Sequence, residues 1–196
     1  MRLVLASRSP QRRAILEQLG VEFAVRHADV EELERGDGEA VARENAQRKA
    51  IAAAPVPGEV VLAVDTIVTL DGRIYGKPRS DAEALQTLAA LSGRTHQVIS
   101  GLVLLEAGRA PLVNSATTAV SFRELDRHLM EWYVATGEWR ERSGGYAVQR
   151  AGGALIRRLD GDYNNVVGLP LALLLDVWPS LLSASPQPPS ALHEPS

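Results

Sequence analysis

Apolar and polar positions fall into blocks whose period separates strands from helices along most of the chain. Residues 2–6 (RLVLA) form a short apolar run that reads as a buried strand. Ser9 then supplies an N-cap and Pro10 a first helical position, where a missing N–H costs least. Ile15, Leu16 and Leu19 recur at helical spacing, and Gly20 is a stop. Val21 to Val25 predicts a second short strand, followed by an acidic loop, DVEELERGDGEA. Residues 39–54 predict a helix with Val41, Ala42, Ala46, Ala50 and Ile51 inward, ended by Pro55 and Pro57. EVVLAVDTIVTL is strongly β-prone, and Asp71-Gly72 turns it into a short return strand.

Ser80-Asp81-Ala82-Glu83 is a capping box that opens a helix to Leu91, closed by Ser92-Gly93. HQVISGLVLLEAG and LVNSATTAVSF predict paired strands around Gly108. Leu125, Leu129, Trp132 and Tyr133 mark a further amphipathic helix. GYAVQ and ALIRRLDGDY read as strands, and LPLALLLDVWPSLL as a terminal helix. Residues 183–196 are rich in Ser and Pro, a composition too poor in apolar residues to pack, and are expected to be disordered. Strands and helices mix along the whole length without a repeat. The expectation is an α/β fold: a mixed, twisted central sheet flanked by helices, in one folded domain over residues 1–182.

Composition narrows the function. The chain has 196 residues and a net charge of −3, so binding of nucleic acid through bulk positive charge is not expected, and any anion site must be local. It has no cysteine, which removes thiolate nucleophiles, disulfides and Cys-type zinc sites and suits the cytoplasm. The N-terminus is too quickly polar for a signal peptide, and no apolar run is long enough to span a membrane. Four histidines, His27, His96, His128 and His193, lack metal-ligand spacing. The common phosphate-loop patterns GxxxxGK[ST] and GxGxxG are absent.

Two places carry candidate chemistry. Asp65 interrupts the aliphatic run VVLAVDTIV. A carboxylate there either marks an exposed strand end or is an active-site acid near the carboxyl end of a central strand, where open α/β sheets place ligands. The second place is the helix opening Ser9-Pro10-Gln11-Arg12-Arg13, which puts cations at the positive end of a helix dipole. Such an arrangement repels itself unless an anion arrives, and the free N–H groups of the helix end suit a phosphate. Ser7 and Ser9 hydroxyls can donate to the same oxygens, while Arg13 is expected to face solvent. Lys49, on the more polar side of its helix, and Lys77, in the rigid Gly76-Lys77-Pro78 turn, each read alone as solvated surface charges. Glu31-Glu32 reads as a loop charge or as a partner for Asp65 around a divalent cation.

Taken in order, LASRSPQRRAIL, ENAQRKA, AVDTIV, GKPRSDAEA, LSGRTHQVISG, SGGYAVQRAGG and DGDYNNVVGLPL resemble the signatures of the Maf-type nucleoside triphosphate pyrophosphatases. The resemblance runs from about residue 2 to residue 182. It implies two lobes around a deep cleft, as in the inosine-triphosphate pyrophosphatases, and Mg²⁺- or Mn²⁺-aided hydrolysis of a nucleoside triphosphate to monophosphate and pyrophosphate. It implies that Asp65 is the proton acceptor, that Glu32 and Lys49 act beside it, and that Asp65 and Glu32 hold the metal. Ser7, Ser9, Arg12, Lys49 and Lys77 become the expected phosphate ligands. The specificity positions of the branch selective for dTTP and UTP map to Gln11, Thr66 and Gln149. Thr66 and Gln149 match that branch, whereas Gln11 stands where it has Arg and lacks the charged fork of a guanidinium. Ser143 and Arg150 are further departures, with Arg150 expected to point to solvent. The implied function is house-cleaning of pyrimidine triphosphates by a cytoplasmic enzyme, with a homodimer common in the family. The alternatives are a purine or 7-methyl-GTP pyrophosphatase and a non-catalytic nucleotide-binding regulator of cell division. Trp132, Tyr133 and Trp139 are left between an interface and the core.

Overall fold

The computed structural model describes residues 1–27 and 29–184. The expected disordered tail lies, from residue 185 onward, outside the described residues, and so does His193. The strands are β1 (Arg2–Leu5), β2 (Phe23–Val25), β3 (Glu59–Leu70), β4 (Arg73–Tyr75), β5 (Thr95–Glu106), β6 (Leu112–Phe122) and β7 (Ile156–Asp160). The helices are α1 (Pro10–Gln18), α2 (Gly38–Ala52), α3 (Asp81–Leu91), α4 (Arg127–Ala135), α5 (Tyr163–Val167) and α6 (Leu171–Val177).

All seven strands join one mixed sheet in the order β2-β1-β3-β5-β6-β7, with β4 also on β3. β1 runs parallel to both β2 and β3, and every other pairing is antiparallel. The expected α/β class with a mixed, helix-flanked sheet is therefore observed. Among the described residues no helix is long and apolar enough to cross a membrane.

One edge of β3 positions the site. β1 pairs with β3 from Glu59 to Leu62, and β4 pairs with the same edge from Val68 to Leu70. Between them β3 has a gap on that edge, so the strand order forks around Asp65 and Thr66. Successive β-residues face opposite sides of a sheet. Ala63, Asp65 and Ile67 consequently face α2, while Leu62, Val64 and Thr66 face the layer of α1, α5 and α6. The cores follow the same division. Val61, Ala63 and Val103 pack against Ala46, Ala50 and Ala53 of the α2 region. Leu62, Val64 and Leu102 pack against Ile15, Leu16, Leu169 and Leu174.

The α2 face is lined by alanines, so this helix lies close to the sheet. Gly101 of β5 sits directly opposite Asp65 in register, and a Cβ there would stand 2.3 Å from the Ala42 carbonyl oxygen. Only the absence of a side chain lets helix and strand backbones meet at that point. A third core gathers Leu88, Leu91, Val98, Val120, Phe122, Tyr133, Trp139 and Tyr146 between α3, α4 and the far half of the sheet. Within it His96 Nε2 lies 2.8 Å from the Tyr146 hydroxyl, and both rings meet Phe122 edge to face.

Several expectations are corrected. GYAVQ is not a strand: Ser143–Gly145 form a 3₁₀ turn, with Gly144 and Gly145 at φ 71° and 66°. Residues 148–150 turn again, because the segment folds over Val68 and Pro78 instead of adding to an edge. ALIRRLDGDY is strand only over Ile156–Asp160, since Asp162 then caps α5 by accepting from the Asn164 N–H. The terminal helix stops at Val177 and resumes as a 3₁₀ helix over Pro179–Ala184, because Pro179 cannot continue the ladder. Ile51 is 58 % exposed, and Asn45 takes the inward place on α2. Tyr133 and Trp139 fill the core, whereas Trp132 is exposed.

Candidate active site

The strand-to-helix turn after β1 folds as its sequence predicts. Ser9 is the N-cap of α1, its Oγ accepting from the Arg12 N–H at 3.5 Å, with Pro10 at the first helical position. The Ser9 hydroxyl donates to Gln11 Oε1 at 3.0 Å. Arg13 is exposed and lies 3.8 Å from Glu17, as expected of a solvent-facing neighbour.

Arg12 is different. It is only 9 % exposed and turns back under the sheet edge. Its Nε donates to the Gly168 carbonyl oxygen at 2.7 Å, one terminal nitrogen to Ser7 Oγ at 2.9 Å, and the other to Thr66 Oγ1 at 3.1 Å. All three acceptors are neutral. A guanidinium has five N–H groups, so one on each terminal nitrogen has no partner among the described residues. Burial pulls the Arg12 pKa below its usual value, and the charges of Asp65 and Glu32 oppose that pull. Ser100, fully buried, shares a hydroxyl contact of 2.8 Å with Thr66, its register partner. Gly168 sits at φ 128°, a region open to glycine, and this aims its carbonyl at Arg12.

On the other face Asp65 is 6 % exposed and lies in the middle of β3, not at its carboxyl end. The strand whose carboxyl end meets it is β1. Neither sequence reading of Asp65 is therefore right in its placement: it is not an exposed strand end, and the fork brings the ligand-binding end of a parallel strand to it. Its Oδ1 accepts from Lys49 Nζ at 2.6 Å and its Oδ2 from Asn45 Nδ2 at 3.1 Å. Lys49 also meets Glu32 at 2.5 Å, so one ammonium joins two carboxylates. Lys49 is not a solvated surface charge. Its side chain is 12 % exposed, because the alanine face brings α2 down and carries the lysine stem over the sheet.

A buried carboxylate alone would cost several kcal/mol, and an ammonium with an amide compensates it. Two carboxylates offer hard oxygen donors. Among the described residues no group of three or more His, Cys, Asp or Glu side chains converges. That donor set fits a cation such as Mg²⁺, which takes one or two carboxylates and completes its shell from phosphates and water.

The remaining predicted residues stand apart. Lys77 is half exposed, 3.8 Å from Glu141. The Gly76 carbonyl beside it accepts from the Gly144 N–H, and Ser143 Oγ donates to the Thr66 carbonyl oxygen at 3.0 Å, so the Lys77 turn is tied indirectly to Thr66. Gln149 is exposed and has no hydrogen bond to Thr66 or Gln11, and Arg150 is exposed as expected. Sequence reasoning missed Asn45, Gly101, Ser100 and Gly168. Asn45 had a usable signal: it precedes Lys49 by four residues, which places both on one helical face. The others act through register and backbone carbonyls, which a residue pattern does not display.

The family described as Maf-like protein matches residues 2–180. A dTTP/UTP pyrophosphatase of Pyrococcus furiosus is 40 % identical over 177 residues, covering 89 % of this chain and 92 % of the relative. One of Symbiobacterium thermophilum is 45 % identical, covering 86 % and 88 %. One of an Anaeromyxobacter species is 46 % identical, covering 87 % and 85 %. Among solved structures, a HAM1 protein from Coxiella burnetii aligns at a TM-score of 0.48 and 22 % identity, covering 79 % of this chain and 91 % of that one. The chain belongs to the Maf-like protein family.

Proposed function

We propose that this protein is a nucleoside triphosphate pyrophosphatase that acts on dTTP and UTP, releasing the monophosphate and pyrophosphate. The observation that carries the reading is Arg12: a buried cation held by neutral acceptors only, with two N–H groups to offer, beside the Lys49–Asp65–Glu32 cluster. A buried guanidinium that bonds no carboxylate is stabilised by an anion that arrives, and a phosphate matches its fork. The relatives named dTTP/UTP pyrophosphatase, at 40–46 % identity over most of the chain, supply the substrate class.

A triphosphate carries about four negative charges, and its hydrolysis needs charge neutralisation and alignment more than covalent help. In this reading Arg12 and Ser7 bind phosphate oxygens at the carboxyl end of β1. Ser9 and Lys77 complete the phosphate contacts from the helix opening and the Gly76–Pro78 turn. Asp65 accepts the proton of the attacking water through a lone pair that neither Lys49 nor Asn45 occupies. Water oxygen bonds to the α-phosphorus, the bond from that phosphorus to the bridging oxygen breaks, and pyrophosphate leaves. Lys49 offsets part of the charge of Asp65 and Glu32 before substrate binds. Asp65 and Glu32 would hold a divalent cation, which when bound neutralises phosphate charge and polarises the reacting centre. Thr66, Gln11 and Gln149 are assigned to base selection, with Gln11 offering an amide in place of a guanidinium.

The test is a substrate panel. Purified protein with Mg²⁺ or Mn²⁺ is given dTTP, UTP, an inosine triphosphate and 7-methyl-GTP, and both products are quantified. The reading expects monophosphate and pyrophosphate in equal amounts, fastest from dTTP and UTP. Diphosphate plus orthophosphate, or no turnover of any nucleotide, would overturn it.

A further inference from the structure

We propose that Asn45 is the positioning residue for Asp65, and that its single amide fixes the carboxylate and fastens the acidic loop to the same point. This rests on the reading of Asp65 as the proton acceptor. Asn45 is 1 % exposed, on the sheet-facing side of α2. Its Nδ2 donates both to Asp65 Oδ2 at 3.1 Å and to the Leu33 carbonyl oxygen at 3.0 Å. Its Oδ1 accepts from the Leu33 N–H at 2.7 Å. The two donor hydrogens and the acceptor oxygen of the amide are thus all used. No other residue type of this size offers two donors and an acceptor in one plane.

The consequence is geometric. Asp65 has two oxygens with different anchors, Lys49 on Oδ1 and Asn45 on Oδ2. A carboxylate held at one oxygen alone can rotate about its last torsion, where the energy profile is broad. Held at both, it presents its remaining lone pairs in fixed directions, and reacting groups need that degree of orientation. The Leu33 pairing does the same for the loop. Leu33 follows Glu32 directly, so the backbone clamp sets where Glu32 meets Lys49. Arg48, also on α2, adds a contact of 3.2 Å to the Glu31 carbonyl oxygen. Gly101 sets the depth of α2, and Asn45 converts that depth into the orientation of Asp65.

The test compares Asn45→Ala with wild type in kcat, KM and thermal unfolding, and repeats the substitution in an Asp65→Asn background. Alanine suits this helix, and its neighbours on that face are alanines already. Asn45→Asp is the second variant: it keeps the shape and the acceptor for Leu33 but loses both donors. The inference expects kcat to fall roughly tenfold or more in both variants, with KM within about threefold, as for a lost orientation. It also expects no further loss when Asn45→Ala is added to Asp65→Asn. Folded Asn45→Ala or Asn45→Asp with wild-type kcat overturns the inference, and so does an equal loss in the Asp65→Asn background. Substantial turnover by Asp65→Asn alone overturns the underlying reading instead, so the two failures are distinguishable.

Discussion

The two faces of β3 treat buried charge in opposite ways. On the α2 face the anion Asp65 is met by a cation and an amide, and a second carboxylate shares the cation. On the other face the cation Arg12 meets a carbonyl and two hydroxyls, all neutral. The first arrangement pairs its buried anion directly and still carries one more carboxylate than cation. The second leaves a positive charge bonded to no carboxylate, an arrangement that suits an arriving anion. Adjacent residues of one strand, Asp65 and Thr66, head the two arrangements because β-geometry sends them to opposite sides. The fork between β1 and β4 then opens the strand edge to both. An interior strand can thus head two chemically different arrangements when its neighbours stop pairing at the right residue.

The asymmetry can be broken first at Arg12. Arg12→Lys keeps the charge and loses the fork that bonds Gly168, Ser7 and Thr66 at once. We expect kcat/KM for dTTP to fall on the order of 10²-fold, as for loss of one pre-organised donor set. A lysine variant within threefold of wild type would mean that charge alone suffices. Gly101→Ala attacks the opposite face. The added Cβ meets the Ala42 carbonyl oxygen, so α2 must withdraw. We expect a cost of about 1–3 kcal/mol in thermal or urea unfolding. We also expect kcat to fall more than dTTP affinity, since Lys49 and Asn45 move while Arg12 stays.

His96 separates burial from function. It is 1 % exposed, hydrogen-bonded to Tyr146, and belongs to neither face of the fork. Burial lowers its pKa from 6.5 to about 4. Between these values the unfolded chain binds a proton that the native chain does not, so stability declines as pH falls from about 6.5 towards 4. The full loss amounts to about 3 kcal/mol. Melting temperatures taken across this window should fall, and His96→Gln should flatten the dependence. Lys77 gives the smallest effect. It is half exposed and 3.8 Å from its carboxylate, so Lys77→Ala should leave stability within about 0.5 kcal/mol. A rise in KM without a change in melting temperature would show that the substrate recruits it.

Much of this was legible in the residue pattern. The Ser9 cap, Pro10, the β3 run and the β5–β6 hairpin follow from local rules that tertiary contacts here reinforce. Arg12 stood out because its position contradicts the helix dipole, and Asp65 because it contradicts an aliphatic strand. Read alone, Lys49 looks like a solvated charge because helical periodicity counts apolar residues, whereas its burial depends on a close approach at Gly101 in another element. GYAVQ reads as a strand because its period is right, but Gly144 and Gly145 take left-handed turns that only the packing over Val68 and Pro78 requires. Gly168 acts through its carbonyl, which every residue possesses, so no side-chain pattern announces it.

In the proposed reaction the Asp65 face carries the proton transfer and the Arg12 face carries the phosphate. Pyrophosphate release by Asp65→Asn, measured with dTTP beside the calorimetric affinity of the same variant, tests it most directly. The account predicts a kcat reduced by at least about 10²-fold with dTTP binding retained. Turnover by Asp65→Asn near the wild-type rate would contradict it.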